Sequence, residues 1–209
     1  MKKNFAIFDV DHTLITRDSM FLFFWFSLKK KPQYVLNIIP VVWNTLLFKL
    51  GLIKVGDVKK HYFYLMKKLT ESDLEQFYDN VLSRFICDNV RSELIKKKEE
   101  GYHILLVSAS PYAYLKYFEI KMPQIDKVIA TELNVDAEGK YINTMKGENC
   151  SGEEKVRRIN QYLDQNNLSI NFEESYAYSD SKTDKPMFQL GKHKKMINKR
   201  FRRIEDFKA

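Results

Sequence analysis

Two short acidic pairs, Asp9 with Asp11 and Asp180 with Asp184, stand at opposite ends of this 209-residue chain, each directly after a brief apolar run. The runs Phe5-Ala6-Ile7-Phe8 and Tyr176-Ala177-Tyr178 read as buried strands, and uninterrupted apolar strands belong to parallel sheets covered on both faces. Ligands bind such sheets at the carboxyl ends of the strands. Two acidic pairs gathered at one edge would repel each other, so the pattern calls for a cation between them. An all-oxygen donor set favours Mg²⁺.

The first strand is expected over residues 4–10 and the next clear one over 103–107. The ninety or so residues between them read as helical. Leu74, Phe77, Tyr78, Val81, Leu82 and Phe85 recur at helical spacing, and Thr70-Glu71-Ser72-Asp73 makes a helix start. Further on, a helix at 112–119, a strand at 127–131, a hairpin turning at 136–139, a helix at 152–165 and strands at 175–178 and 195–197 alternate. This order predicts an α/β fold: a doubly wound, Rossmann-like parallel core of residues 1–16 and 100–209, with a helical cap of residues 17–99 inserted after the first strand.

Composition narrows the function classes. With 44% hydrophobic and 30% charged residues, 7 Gly and 5 Pro, the chain is globular rather than fibrous or disordered. Its net charge of +8 admits an acidic partner. No zinc-finger spacing, RRM-like aromatic signature or recognition helix accompanies that charge, so no nucleic-acid partner is expected. Cys87 and Cys150 are too few for a zinc site and suit a reduced compartment. Val156 stands where a cysteine phosphatase built on Cys150 would need its Arg. The apolar run after Met1 is broken by Asp9, so no signal peptide is expected, and the expected location is cytoplasmic, at most peripheral to the inner face of a membrane.

Residues 20–28 and 34–48 are strongly apolar. As helices they would reach roughly 13 and 22 Å, short of the roughly 30 Å of a bilayer core. The expectation is that these side chains pack inward as the cap's own core and a lipophilic pocket wall. The alternative is a hairpin dipping into one leaflet, with Lys29, Lys30 and Lys31 between the segments and Trp25 and Trp43 at the interface.

Phosphate-ester hydrolysis needs an in-line nucleophile, a proton donor for the leaving oxygen and positive charge around the phosphoryl oxygens. Asp9, the first acid after the strand, is placed to attack phosphorus and form an aspartyl phosphate. Asp11 faces the same way two residues later, and can protonate the leaving alkoxide and then activate water. The ordered set Asp9-Val10-Asp11-His12-Thr13, Ser108, Lys155 and Asp180 with Asp184 resembles the four motifs of the haloacid dehalogenase-like phosphatases across nearly the whole chain. That resemblance implies the same roles for Asp9 and Asp11. It implies a Mg²⁺ site from Asp9, Asp180 and the Asp11 backbone carbonyl, with Asp184 behind it. Phosphate oxygens would be held by Thr13, Ser108 and Lys155.

The helical insertion is similar to that of the phosphoserine-phosphatase-like branch, where an acid shortly after the first motif, here Asp18, and a cap Arg read the substrate. No Arg lies between Arg17 and Arg84. With the apolar segments and Ser110-Pro111, this looks more like the branch's phosphatidylglycerophosphatases. A lipid phosphate, with peripheral contact to an anionic membrane, is therefore the expected substrate. A soluble phosphorylated metabolite is the alternative, as is a phosphotransferase using the same intermediate.

Overall fold

The structure, a computed structural model, describes residues 1–207, without the side chain of Val55. The last two residues of the expected core lie outside these.

A parallel sheet forms because the apolar strands have both faces to cover. After the short β1 (Lys2–Lys3), β2 (Phe5–Asp9) is wholly buried. Phe8 and Ala6 point into one core with Ile104 and Leu106. Phe5 and Ile7 point into another with Leu105 and Val107. This period-two division is what a strand covered on both faces requires.

Between β2 and the next strand come five helices, α1 (Ser19–Lys30), α2 (Ile38–Lys49), α3 (Val55–Tyr62), α4 (Glu71–Asn80) and α5 (Asp88–Glu99), with 3₁₀ turns among them. Thr70 starts α4 by accepting from the Asp73 amide while the Asp73 side chain accepts from that of Thr70, a reciprocal capping box. The expected helical run through Phe85 breaks instead at Val81, with Leu82–Phe85 a separate 3₁₀ turn. The first core also holds Phe23, Phe77, Val90 and Leu94, so α1, α4 and α5 all reach it. Aromatic rings interlock there: Phe77 sits edge-on to Phe23 and Tyr114 at 5.3 and 5.1 Å.

The chain then runs through β3 (His103–Pro111), α6 (Tyr112–Lys121), β4 (Lys127–Thr131), the hairpin β5 (Leu133–Val135) and β6 (Tyr141–Met145), and α7 (Glu153–Gln165). It closes with β7 (Ser169–Ile170), β8 (Tyr176–Ser179), α8 (Lys185–Phe188), β9 (His193–Ile197) and β10 (Ile204–Asp206). The main sheet has the order β10-β9-β8-β2-β3-β4, parallel except for the β9–β10 pair, and β1 pairs with β7 apart from it. The first long strand is thus central, as in a doubly wound sheet. Ile159 and Leu163 of α7 and Met187 of α8 cover the second face.

The expectation of inward packing holds for most of α1, where only Phe21 and Trp25 of the apolar side chains face outward, but fails for much of α2 and the 3₁₀ turn before it. Phe24, Leu28 and Val41 do form a small core with Leu65. Yet Leu36, Ile39 and Trp43 are 73%, 66% and 60% exposed, and Phe21, Trp25, Val42 and Leu46 also face outward. Apolar periodicity fixes which side chains share a helix face, not whether that face meets protein. No helix among the described residues is long and apolar enough to cross a membrane.

Candidate active site

Strand register assembles the site. Phe8 pairs with Tyr178 and Asp9 with Val107, so Asp9 and Ser179, the last residues of β2 and β8, lie at one edge with Ser108 of the adjacent β3. Asp11 and Thr13 come after β2 in a tight loop, where His12 takes a left-handed φ of 60°. Asp180 and Asp184 come after β8. Lys155 arrives on the first turn of α7, which the chain enters through Gly152 at φ 55°, ψ −125°, a conformation essentially reserved for glycine.

Lys155 is 2% exposed, and its Nζ donates to Asp9 Oδ1 at 2.7 Å and Asp184 Oδ2 at 2.8 Å. Ser179 Oγ also donates to Asp184 Oδ2, at 2.6 Å. Asp184 therefore holds the lysine rather than facing outward. Burial pushes the Asp9 carboxyl up to about 7; Asp184 and Asp11 add to the rise, while Lys155 opposes it. Lys155, held between two carboxylates, keeps its proton more firmly than an ordinary lysine in spite of its burial.

Asp11 is turned the other way. It accepts from the Ser19 amide at 2.6 Å, Ser108 Oγ at 3.1 Å and Ser110 Oγ at 2.7 Å. Its carboxylate thus sits against the start of α1, where the helix dipole favours negative charge. Ser108, expected to face phosphate, spends its hydroxyl on Asp11. Thr13 Oγ1 bonds both the amide and Oδ1 of Asp180, at 3.0 and 3.3 Å, tying the first acidic loop to the last. Asp18 caps α1 by accepting from the Phe21 amide at 2.7 Å, and burial together with the nearby Asp11 charge raises its pKa.

Sequence reasoning missed several groups. Ser110 sits two residues after Ser108, and strand alternation puts both on one side. Lys59 of α3 is 5% exposed and donates to the Ala109 carbonyl at 2.6 Å and to Asn149 Oδ1 at 2.5 Å. Burial lowers its pKa to about 8, with Asp11 and Asp18 pulling upward. Lys199, in the β9–β10 turn, pairs with Asp180 Oδ2 at 2.6 Å. Arg202 from the same turn donates to the carbonyls of His12 and Thr16 at 3.3 and 2.7 Å. No local pattern flags Lys59, Lys199 or Arg202, because each meets the site from a distant part of the chain.

A cation could be held by one oxygen each of Asp9 and Asp180 together with the Asp11 carbonyl. Among the described residues no three acidic, imidazole or thiol side chains gather to hold a metal by themselves. Two carboxylates and a carbonyl, all hard oxygen donors, fit Mg²⁺, which usually keeps several waters and binds through few protein ligands.

A family model described as haloacid dehalogenase-like hydrolase matches residues 6–189, from the first strand to just beyond α8. The chain belongs to that family. This haloacid dehalogenase-like hydrolase is 24% identical over 201 residues to the histidinol-phosphatase of Neisseria meningitidis serogroup C (strain 8013), a match covering 90% of this chain and 87% of that one. Its fold is similar to that of a protein of unknown function from Bordetella pertussis Tohama I, with a TM-score of 0.78 and 20% identity, covering 93% of this chain and 89% of that one. A phospho-aspartyl intermediate analogue of phosphoserine phosphatase gives a TM-score of 0.64 at 20% identity, covering 93% and 86% of the two chains.

Proposed function

We propose that the protein is a magnesium-dependent phosphomonoesterase working through an aspartyl phosphate on Asp9, with residues 17–99 as a substrate-reading cap on a core of 1–16 and 100–209. The observation that carries this reading is the division of labour between Asp9 and Asp11. Asp9 is buried at a strand end with one oxygen on Lys155. Asp11 is aimed by three donors from a separate direction.

In the first step Asp9 attacks phosphorus in line, and the departing alkoxide takes a proton from Asp11. In the second, Asp11 takes a proton from water, whose oxygen attacks the phosphorus, releasing phosphate and restoring the Asp9 carboxylate. Lys155 supplies fixed positive charge beside the transferring group. Ser108 and Ser110 hold Asp11 in place through both steps. Magnesium, when bound, offsets the repulsion between the phosphate and the Asp9 carboxylate. Asp180 would hold it with Asp9, and Thr13 and Lys199 fix the orientation of Asp180.

For the substrate we infer a lipid phosphate such as phosphatidylglycerophosphate, at an anionic membrane surface. The apolar side chains exposed on α1, which starts at the Asp11 bond to Ser19, support it. A soluble amino-alcohol or amino-acid phosphate is the second reading. Lys59 supplies a cap cation in place of the missing Arg, and Asp18 lies within its electrostatic reach. The name of the Neisseria relative supports that reading as well.

The test is phosphate release with and without Mg²⁺. Wild type should require the metal, and Asp9→Asn should lose at least roughly a thousandfold in rate, as removal of a covalent nucleophile does. Equal rates for the two proteins would overturn the mechanism. Adding glycerol as acceptor separates hydrolysis from transfer to an alcohol. Comparing phosphatidylglycerophosphate with histidinol phosphate and phosphoserine separates the substrate readings.

A further inference from the structure

We infer that the outward face of α1 and α2 is a docking surface for an anionic lipid bilayer, laid into one leaflet with its helices parallel to the membrane plane. On α2 the exposed residues Ile39, Val42, Trp43 and Leu46 fall at i, i+3, i+4 and i+7, a single helical stripe. The opposite side of the helix is satisfied by protein, through Val41 in the small core beneath and Thr45 near the Tyr62 hydroxyl. The exposed stripe is therefore additional to the packing that holds the helix. On α1, Phe21 and Trp25 are also exposed, their rings edge-to-face at 6.1 Å. Large apolar side chains lined up on an exposed helix face in this way mark an interaction site.

Charge selects the occupant. Between Asp18 and Asp57 there is no acidic residue, while Lys29, Lys30, Lys31, Lys49 and Lys54 fall within the same stretch; of these, Lys30 is paired with Asp73 at 3.1 Å. An apolar stripe flanked by lysines matches acyl chains below anionic headgroups. A second copy of this chain would bring the same lysines face to face without a carboxylate from this stretch to offset them. Each of the two helices has 12 residues, about 18 Å of helix, so they can lie in an interface but not span one.

The placement gives docking a consequence for catalysis. The amide of Ser19, the first residue of α1, donates to Asp11. Trp25 lies six residues further on, about 9 Å along the helix. A surface docked on this face would bring headgroups close to the phosphoryl edge. The inference deepens the lipid-phosphate reading and rests on it for what the docked enzyme acts upon, but docking itself can be measured without turnover.

Trp25 and Trp43 are the chain's two tryptophans, so tryptophan emission excited selectively reports this face alone. The full-length protein should co-sediment with phosphatidylcholine vesicles containing phosphatidylglycerol, with a blue shift in tryptophan emission, and much less with phosphatidylcholine alone. Ile39→Ser with Leu46→Ser should weaken binding at least roughly tenfold at an unchanged melting temperature. Lys29→Gln and Lys49→Gln should each weaken it by about fivefold, an effect that high salt reproduces. Absence of sedimentation with the anionic vesicles would overturn the proposal, as would sedimentation without an emission shift, which is adsorption by charge alone. Self-association abolished by the Ile39→Ser and Leu46→Ser changes, without vesicle binding, would assign the face to a protein contact and overturn it too. Hydrolysis of a short-chain, monomeric lipid phosphate in the absence of vesicles tests the substrate reading separately. It can succeed while docking fails, or fail while docking succeeds.

Discussion

The candidate catalytic edge of the sheet and the outer face of α1–α2 are opposites in how their side chains are satisfied. At the edge, charged groups are buried or half-buried and held by partners: Lys155 between Asp9 and Asp184, Asp11 among three donors, Asp180 against Thr13 and Lys199. On the outer face, large apolar groups meet solvent and nothing among the described residues covers them. The first arrangement is costly to disturb because it is closed on itself. The second is incomplete within the chain, and the contrast teaches that its sequence answers to something outside the fold.

The largest effect that sharpens this contrast is expected at Lys155. Lys155→Met strands two buried carboxylates, and breaking a buried ion pair in this way costs about 3–5 kcal/mol. Chemical denaturation should register that loss, and phosphate release should fall with it. Were Lys155→Met as stable as wild type, Asp9 and Asp184 would have to be solvated or protonated, and the closed edge would be no different in kind from the surface.

Next in size is a pair of aromatic substitutions. Phe77 is fully buried among Phe23, Phe26 and Tyr114, and Phe77→Ala should cost about 3–5 kcal/mol. Trp43, larger but exposed, should tolerate Trp43→Ser within about 0.5 kcal/mol in lipid-free buffer. Thermal or urea denaturation of the two variants checks this. A comparable loss at Trp43 would mean that the outer face is packed in solution.

The two regions also differ in how far the sequence alone exposes them. Asp9, Asp11, Thr13, Ser108, Asp180 and Asp184 could be found because the end of a buried strand fixes where the next few residues must lie, whereas Lys155, on a helix, could be found only from the order of the motifs it shares with the family. The structure brings all seven to one edge. The central position of β2 reflects its apolar run by the same logic. Lys59, Lys199 and Arg202 were illegible, since each reaches the edge through tertiary packing of an element whose local sequence looks like ordinary solvated charge. β10 escaped notice because Ile204-Glu205-Asp206 has no strand pattern of its own and forms only by pairing with β9. On α2 the apolar composition was visible, but the direction its side chains face was not: an apolar helix reads the same whether protein or lipid lies against it.

Lys59 joins the two regions, and its titration gives the smallest and most specific test. It belongs to α3 of the helical segment, yet its ammonium is buried against the Ala109 carbonyl and Asn149 of the core. Burial lowers its pKa from the usual 10.5 to about 8. Below pH 8 both folded and unfolded chains hold this proton, and the fold bears the full cost of burying the charge. Between pH 8 and 10.5 the unfolded chain still holds the proton while the folded chain has released it, so stability attributable to Lys59 rises with pH. The difference in stability between wild type and Lys59→Met should therefore shift in favour of wild type over that window, by at most about 3 kcal/mol. A difference that stays flat would show that Asp11 and Asp18 hold the ammonium charged. In that case the helical segment would be seated on the core by attraction to Asp11 and Asp18, and loss of Lys59 should then loosen that segment and the candidate site together.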